Sequence, residues 1–313
     1  MNRKSVKMDM ETKLVYDNIY TNAVMFLRRA IKELITSSGD HLEREQAVIA
    51  CIFIQMAVEL GFKAYLIKTK SLTSILRDKH KKQTIEELLE EFEDGTLQTK
   101  TFEELKRMIV ADDQLFDEER LEYINDFQRY RNQAVHFHLR LVQGDLFDLR
   151  YDLVYVLVHV VIPVLAEISL DIESPSDFYQ ECLDKNDYLT LIKFEPYVYE
   201  MKKVAEQHSQ FVYHCIECNE KTYSVDNEIC YCCNLQFVNA GEYVKCPACK
   251  TPKSVIFDHN NIAINENVMN GLCLNCGERC KVFKCPSCEV ATPFYYEIDL
   301  QDTCYSNRCE MES

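Results

Sequence analysis

Turn-forming residues are scarce in this 313-residue chain, which holds seven glycines and seven prolines. That scarcity excludes an all-β protein of many short strands, where turn residues punctuate each connection. Cysteine is almost absent before residue 215, where only Cys51 and Cys182 occur, while fourteen of the sixteen cysteines follow. The composition therefore changes at about residue 210. Nothing at the N-terminus indicates export either: MNRKSVKMDMETK has no apolar core of signal length, so a reducing cytoplasm is expected. No apolar run reads as a membrane span. Cys51–Ile67 is interrupted by Gln55, Glu59 and Lys63, and Leu153–Ala166 is short and holds His159 and Pro163. Both read as buried core helices, with no membrane partner. The last absence is a basic field, for the formal net charge is −16, of which residues 1–170 carry −5 and residues 171–313 carry −11. Sequence-blind nucleic-acid binding by the C-terminal part is thereby disfavoured, and protein contact favoured.

What is present before residue 210 is helical. A hydrophobic content of 47% supports one good core plus appendages. Ile19, Ala23, Phe26, Leu27, Ala30 and Leu34 recur at helical spacing over 16–35, and a second helix is predicted from Asp40 to about Thr69. Short amphipathic helices are predicted over 84–92 and 101–110, and long ones over 117–141 and 145–170, the last bent at Pro163. The domains expected are a helical bundle over 11–170, a helical linker over 171–210 and small zinc ribbons over 211–313. The fold class is thus mainly α, followed by four-cysteine β modules.

The cysteines after residue 210 pair by spacing. Cys215 and Cys218 are followed by Cys230 and Cys233, Cys246 and Cys249 by Cys273 and Cys276, and Cys285 and Cys288 by Cys304 and Cys309. A CxxC turn aims two thiolates at one tetrahedral zinc and a second pair closes the site, so about three structural zinc ions per chain are predicted. Cys304 and Cys309, with four residues between them, close the third site irregularly. Cys232 and Cys280 lie near enough to replace an assigned ligand. Modules this small bury little core, so the metal supplies their folding free energy. Four-cysteine sets leave no open position for His214 or His259, which favours structural over catalytic zinc.

The other chemistry-bearing stretch is YRNQAVHFH, Tyr130 to His138. Asn132 and His136 are four apart and share one helix face, and Arg131 is long enough to curl back toward them. Within a helical bundle this pattern resembles the Arg-x4-to-6-His signature of the HEPN superfamily, with Asn directly after Arg. The resemblance covers roughly residues 11–170. It extends to QMAVELGFKAYL, where Glu59 matches an acidic residue facing the same pocket in that family; an i,i+4 pair with Lys63 is the other reading of Glu59.

The resemblance implies a metal-independent endoribonuclease whose site forms where two protomers bring their motif helices together. Arg131 would offset charge on the phosphorane, Asn132 hold geometry and His136 move a proton as the ribose 2′-hydroxyl attacks the phosphate. Such a protein is a toxin or anti-phage defence effector acting on RNA, with the acidic ribbons as a sensor or docking module for a protein partner. A family subgroup has a modifiable Tyr two residues after the motif His; here His138 stands there, so that control does not carry over. RNA would meet Lys68, Lys70, Arg77, Lys79, Lys81 and Lys82, a run that also reads as a solvated loop. The alternative function is a non-enzymatic adaptor with a degenerate helical dimer.

Overall fold

The computed structural model describes residues 8–35, 42–80, 82–112, 118–136, 143–169, 178, 182–236, 242–264 and 266–295. The chain divides into two compact units, Met1–Tyr197 and Val198–Ser313. The first is mainly helical and the second carries small antiparallel sheets.

The helical unit holds α1 (Met10–Ile35), α2 (Arg44–Thr69), α3 (Ile85–Glu93), α4 (Phe102–Asp112), α5 (Glu118–His136), α6 (Gln143–Val156), α7 (Ile162–Ile168) and α8 (Lys185–Ile192). Helix α9 (Glu195–His208) carries the division between the units. α1 starts ahead of the expected Tyr16 because Asp9 caps it: Thr12 N donates to Asp9 Oδ1 at 2.6 Å, which holds the Asp9 carboxyl below its usual value. Its buried residues Ile19, Ala23, Leu27, Ala30 and Leu34 form one face. α2 packs against α1, α4, α5, α6 and α7, so Ala50, Cys51, Ile54, Ala57, Val58 and Phe62 are all buried. That central position explains the long apolar run. Gly61 sits where α2 meets α7; a Cβ there would lie 3.2 Å from Leu165 Cδ2. α3 and α4 each open on a Thr-x-x-Glu box: Thr84 N donates to Glu87 Oε2 at 2.9 Å and Thr101 N to Glu104 Oε2 at 2.8 Å.

In the second unit β1 (Val212–Tyr213), β2 (Tyr223–Ser224) and β3 (Ile229–Cys230) form a three-stranded antiparallel sheet. β4 (Val255–Ile262), β5 (Val268–Cys273), β6 (Arg279–Lys284) and β7 (Ala291–Phe294) form an antiparallel meander in that order. Cys246, Val255, Phe257, Met269, Cys273, Cys280 and Val282 make its small core. Gly271 stands opposite Phe257 and Cys280, where a Cβ would meet Val255 and Val282 methyls at 2.9 Å. Only glycine fits there without displacing the core.

Between α6 and α7 the helix takes a π turn, Leu157–Val161, in place of the bend expected at Pro163. Proline has no N–H for the carbonyl four residues back, and widening the turn accommodates the lost bond. The turn holds His159 buried, with its ring 4.5 Å from that of Tyr155 and its Nε2 2.9 Å from Tyr197 Oη. Burial, aided by the Arg120 charge, pushes the His159 pKa from 6.5 down to about 3. The unfolded chain therefore binds a proton here below about 6.5 that the folded chain refuses until about 3. His159 stabilises the fold at neutral pH, and that contribution is lost as pH falls through this window. Denaturant titrations should show wild-type stability falling there by up to ~1.4 kcal/mol per pH unit from this one group. His159→Gln should be less stable at neutral pH with a shallower acid slope; equal slopes would mean that His159 titrates as an exposed imidazole.

Candidate metal centres and the Arg131 cluster

Five CxxC turns share one backbone circuit. The N–H of the residue after the second cysteine donates to the carbonyl of the first: Asn219 to Cys215 at 3.0 Å, Asn234 to Cys230 at 2.8 Å, Lys250 to Cys246 at 3.1 Å, Gly277 to Cys273 at 2.9 Å and Glu289 to Cys285 at 2.9 Å. The first cysteine's N–H donates in return to the next carbonyl along, that of Glu220, Leu235, Thr251, Glu278 or Val290. Closing the circuit forces the residue after the turn into the left-handed region, at φ 63°, 57°, 61°, 76° and 58° in chain order. Asn and Gly tolerate that conformation, whereas Lys250 and Glu289 adopt it at a cost of ~1–2 kcal/mol. The strain persists because the circuit places both thiols on one side of each turn.

Four of the turns meet in pairs. Cys215 Sγ lies 3.7 Å from Cys233 Sγ and Cys218 Sγ 3.7 Å from Cys230 Sγ; in the second cluster Cys246–Cys276 and Cys249–Cys273 are each 3.8 Å apart. Within each cluster all four sulfurs lie within 4.8 Å of one another. A tetrahedron with metal–sulfur bonds of ~2.3 Å has sulfur–sulfur edges of ~3.8 Å, whereas a disulfide would be ~2.05 Å. The donor set therefore fits a tetrahedral thiophilic cation, and zinc is the plausible one. The first cluster is buried at all four ligands; in the second, Cys249 and Cys276 are exposed.

Neighbouring donors suit thiolates. Glu217 N–H points at Cys215 Sγ at 3.4 Å and Cys233 N–H at Cys230 Sγ at 3.5 Å. The Thr251 hydroxyl, 3.2 Å from Cys249 Sγ, brings that thiol down to about 6, and Asn275 Nδ2 adds a contact at 3.7 Å. His214 is no ligand: its Nδ1 lies 2.9 Å from the Asn219 carbonyl and supports the first turn. The side chain of His259 lies outside the described residues. Cys232 is buried beside Cys218, and Cys280 packs in the sheet core beside Cys246 and Cys273. Neither belongs to a four-sulfur cluster among the described residues. Of the third predicted set, Cys285 and Cys288 form the fifth turn, while Cys304 and Cys309 lie outside the described residues.

The second predicted site lies on α5. Arg131 Nη1 donates to Asn132 Oδ1 at 2.8 Å on an exposed stretch of the helix. His136 ends α5, one turn beyond Asn132; its side chain lies outside the described residues, as does His138. Glu59 on α2 accepts from Lys63 Nζ at 2.7 Å, and among the described residues no hydrogen bond or ion pair joins Glu59 to Arg131 or Asn132. Asp152, across on α6, was missed by sequence reasoning. Burial, with the charges of Asp126 and Asp148, raises its carboxyl to about 6, a shift that no local motif announces. In the basic run Lys68 Nζ donates to the carbonyls of Glu167 at 2.9 Å and Ser169 at 3.1 Å, and Arg77 Nε to that of Thr99 at 3.3 Å. Two of its six cations thus brace the fold, and Lys81 lies outside the described residues.

No protein-family model, curated protein or solved structure matches this chain. The sulfur geometry makes its own prediction. Cys218→Ser and Cys273→Ser should each release one equivalent of metal in elemental analysis of the purified protein, because three thiolates close a site less well than four. Cys232→Ala and Cys280→Ala should release none; equal loss from Cys232→Ala and Cys218→Ser would replace the assigned ligand set.

Proposed function

We propose that this chain is a metal-independent endoribonuclease of HEPN type, acting in the cytoplasm as a toxin or anti-phage effector. Its thiolate clusters hold structural zinc, and the ribbons built on them serve as sensing or partner-docking modules. The observation that carries the nuclease reading is the Arg131–Asn132 pair on α5 with His136 one turn further along the same helix. The Asn132 carbonyl orients the guanidinium while leaving other N–H donors for a phosphate. An imidazole four residues on is the kind of group that transfer of the 2′-hydroxyl proton calls for. Closed four-sulfur sites suit a structural metal and leave no position for substrate, consistent with cleavage independent of metal. A homodimer joining two α5 helices would gather two such sets on one scissile phosphate.

One observation favours the adaptor reading: Glu59 pairs with Lys63 on its own helix. The acidic residue that the HEPN resemblance assigns to the pocket is then part of a half-buried ion pair within one helix.

The two readings separate in an RNA cleavage assay. His136→Ala should lower cleavage ~10²–10⁴-fold in a protein that stays folded, and Arg131→Ala nearly as much. Arg131→Lys should rescue little, since a point charge lacks the planar fork. Products should carry 2′,3′-cyclic phosphate and 5′-hydroxyl ends, and brief EDTA treatment should leave the rate unchanged. His138→Ala serves as the control on a different helical position. Equal activity of His136→Ala and wild type, or intact RNA with the wild type, decides for the adaptor.

A further inference from the structure

The two closed clusters present their sulfurs to solvent differently. Cys215, Cys218, Cys230 and Cys233 are all buried, and the buried Thr222 hydroxyl stands 3.2 Å from Cys230 Sγ. In the second cluster Cys246 and Cys273 belong to the meander core, whereas Cys249 and Cys276 are exposed. Polar side chains lie on that outer side: Asn275 Nδ2 is 3.1 Å from Thr251 Oγ1 and 3.7 Å from Cys249 Sγ, both contacts exposed. Each outer sulfur has an inner one close by, Cys273 Sγ 3.8 Å from Cys249 Sγ and Cys246 Sγ 3.8 Å from Cys276 Sγ. The second cluster therefore sets an accessible nucleophile beside a buried thiol twice over, and the first cluster has no accessible member.

We propose that Cys249 and Cys276 are a modification site for hydroperoxides, at which oxidation links the two turns of the second cluster by disulfide and discharges its cation while the first cluster keeps its own. In the first step an outer thiolate attacks one peroxide oxygen, the O–O bond breaks, and hydroxide leaves as sulfenic acid forms on that cysteine. In the second the inner sulfur 3.8 Å away attacks the sulfenic sulfur, the S–O bond breaks and a second hydroxide leaves. Two thiolates and one hydrogen peroxide thus give one disulfide and two hydroxides, the sulfurs losing the two electrons that the peroxide gains. The bond draws the pair ~1.8 Å closer, from a tetrahedral edge to disulfide spacing. Two thiolates remain, too few to hold a zinc-class cation tightly. Because Cys246 and Cys273 are part of a seven-residue core, the same step loosens the β4–β7 meander. Lys250, held at φ 61° directly after Cys249, is released from left-handed strain when the turn opens. The inference rests on metal occupancy of the clusters and is independent of the nuclease reading.

Hydrogen peroxide titration of the full-length, zinc-loaded protein tests it, with released zinc followed by a chromogenic chelator and thiols mapped by differential alkylation and peptide mass spectrometry. The untreated protein should hold at least two zinc ions per chain, one for each closed cluster. Peroxide should release one equivalent first, in step with a Cys249–Cys273 or Cys246–Cys276 disulfide, while Cys215, Cys218, Cys230 and Cys233 stay reduced. Dithiothreitol with added zinc should reverse the loss. Fewer than two ions in the untreated protein overturn the inference at its metal premise and leave the nuclease reading standing. Oxidation of the first cluster as fast as the second overturns the selectivity, and early zinc release with all four cysteines of the second cluster still reduced overturns the site. Sulfinic acid on Cys249 or Cys276 in place of disulfide overturns the second step. Cys249→Ser/Cys276→Ser should begin with one ion fewer and lack the early release; should that variant misfold, the wild-type map decides alone.

Discussion

Four sulfurs converging on one point is the constraint on which the C-terminal unit depends. Its largest sheet has a core of seven residues, three of them cysteines, and two of those belong to the second cluster. An apolar core of that size cannot offset the chain entropy of two short sheets and their loops. A tetrahedral cation, which the four-sulfur clusters could hold, would contribute on the order of 10–16 kcal/mol, as in comparable small metal modules, and that would be sufficient. The left-handed residues after each turn, the Gly271 close approach and the register of β4 to β7 then follow as ways of holding cysteine pairs at tetrahedral edges.

The helical unit is built on another principle. α2 buries Ala50, Cys51, Ile54, Ala57, Val58 and Phe62 among five other helices while Ile49, Ile52 and Met56 stay exposed, and two of its polar side chains are handled locally, Glu59 by Lys63 and Lys68 by the carbonyls at the end of α7. Among the buried polar groups of this unit is His159 in the π turn, whose ring is met by a hydroxyl from α9. Burial of that neutral imidazole ties stability of the helical unit to pH, whereas a metal held by the four-sulfur clusters would tie that of the C-terminal unit to metal.

The parts legible in the sequence are those where one residue type has one purpose. The eight cysteines of the two closed clusters were identifiable because CxxC turns repeat at spacings that admit few other pairings, and their sulfurs do meet. Helices over 85–93 and 102–112 were legible because a Thr-x-x-Glu box precedes each apolar stripe. Pro163 marked the place of an irregularity, but a bend and a π turn relieve the same missing hydrogen bond and the sequence does not choose between them. Lys250 and Glu289 carry no propensity for the left-handed region; the requirement arises only once the turn closes. Cys280 looked like a spare ligand because of its position in the chain, and only the strand register, which sets it opposite Gly271, shows it filling the core. Asp152 owes its raised carboxyl first to burial and then to the charges of Asp126 and Asp148, a tertiary effect that no local pattern encodes.

The dependence of one unit, and only one, on metal is the claim most exposed to measurement. Hydrogen exchange followed through a chelator titration at neutral pH reads it directly. Amides of the β4–β7 meander, Met269 and Val282 among them, should lose protection in step with metal release, while those of α1 and α2, such as Leu27 and Ile54, keep theirs. A meander still protected after both clusters have been emptied would contradict the thiolate sites as its foundation, and helices that exchange in step with the ribbons would contradict the separation of the two units.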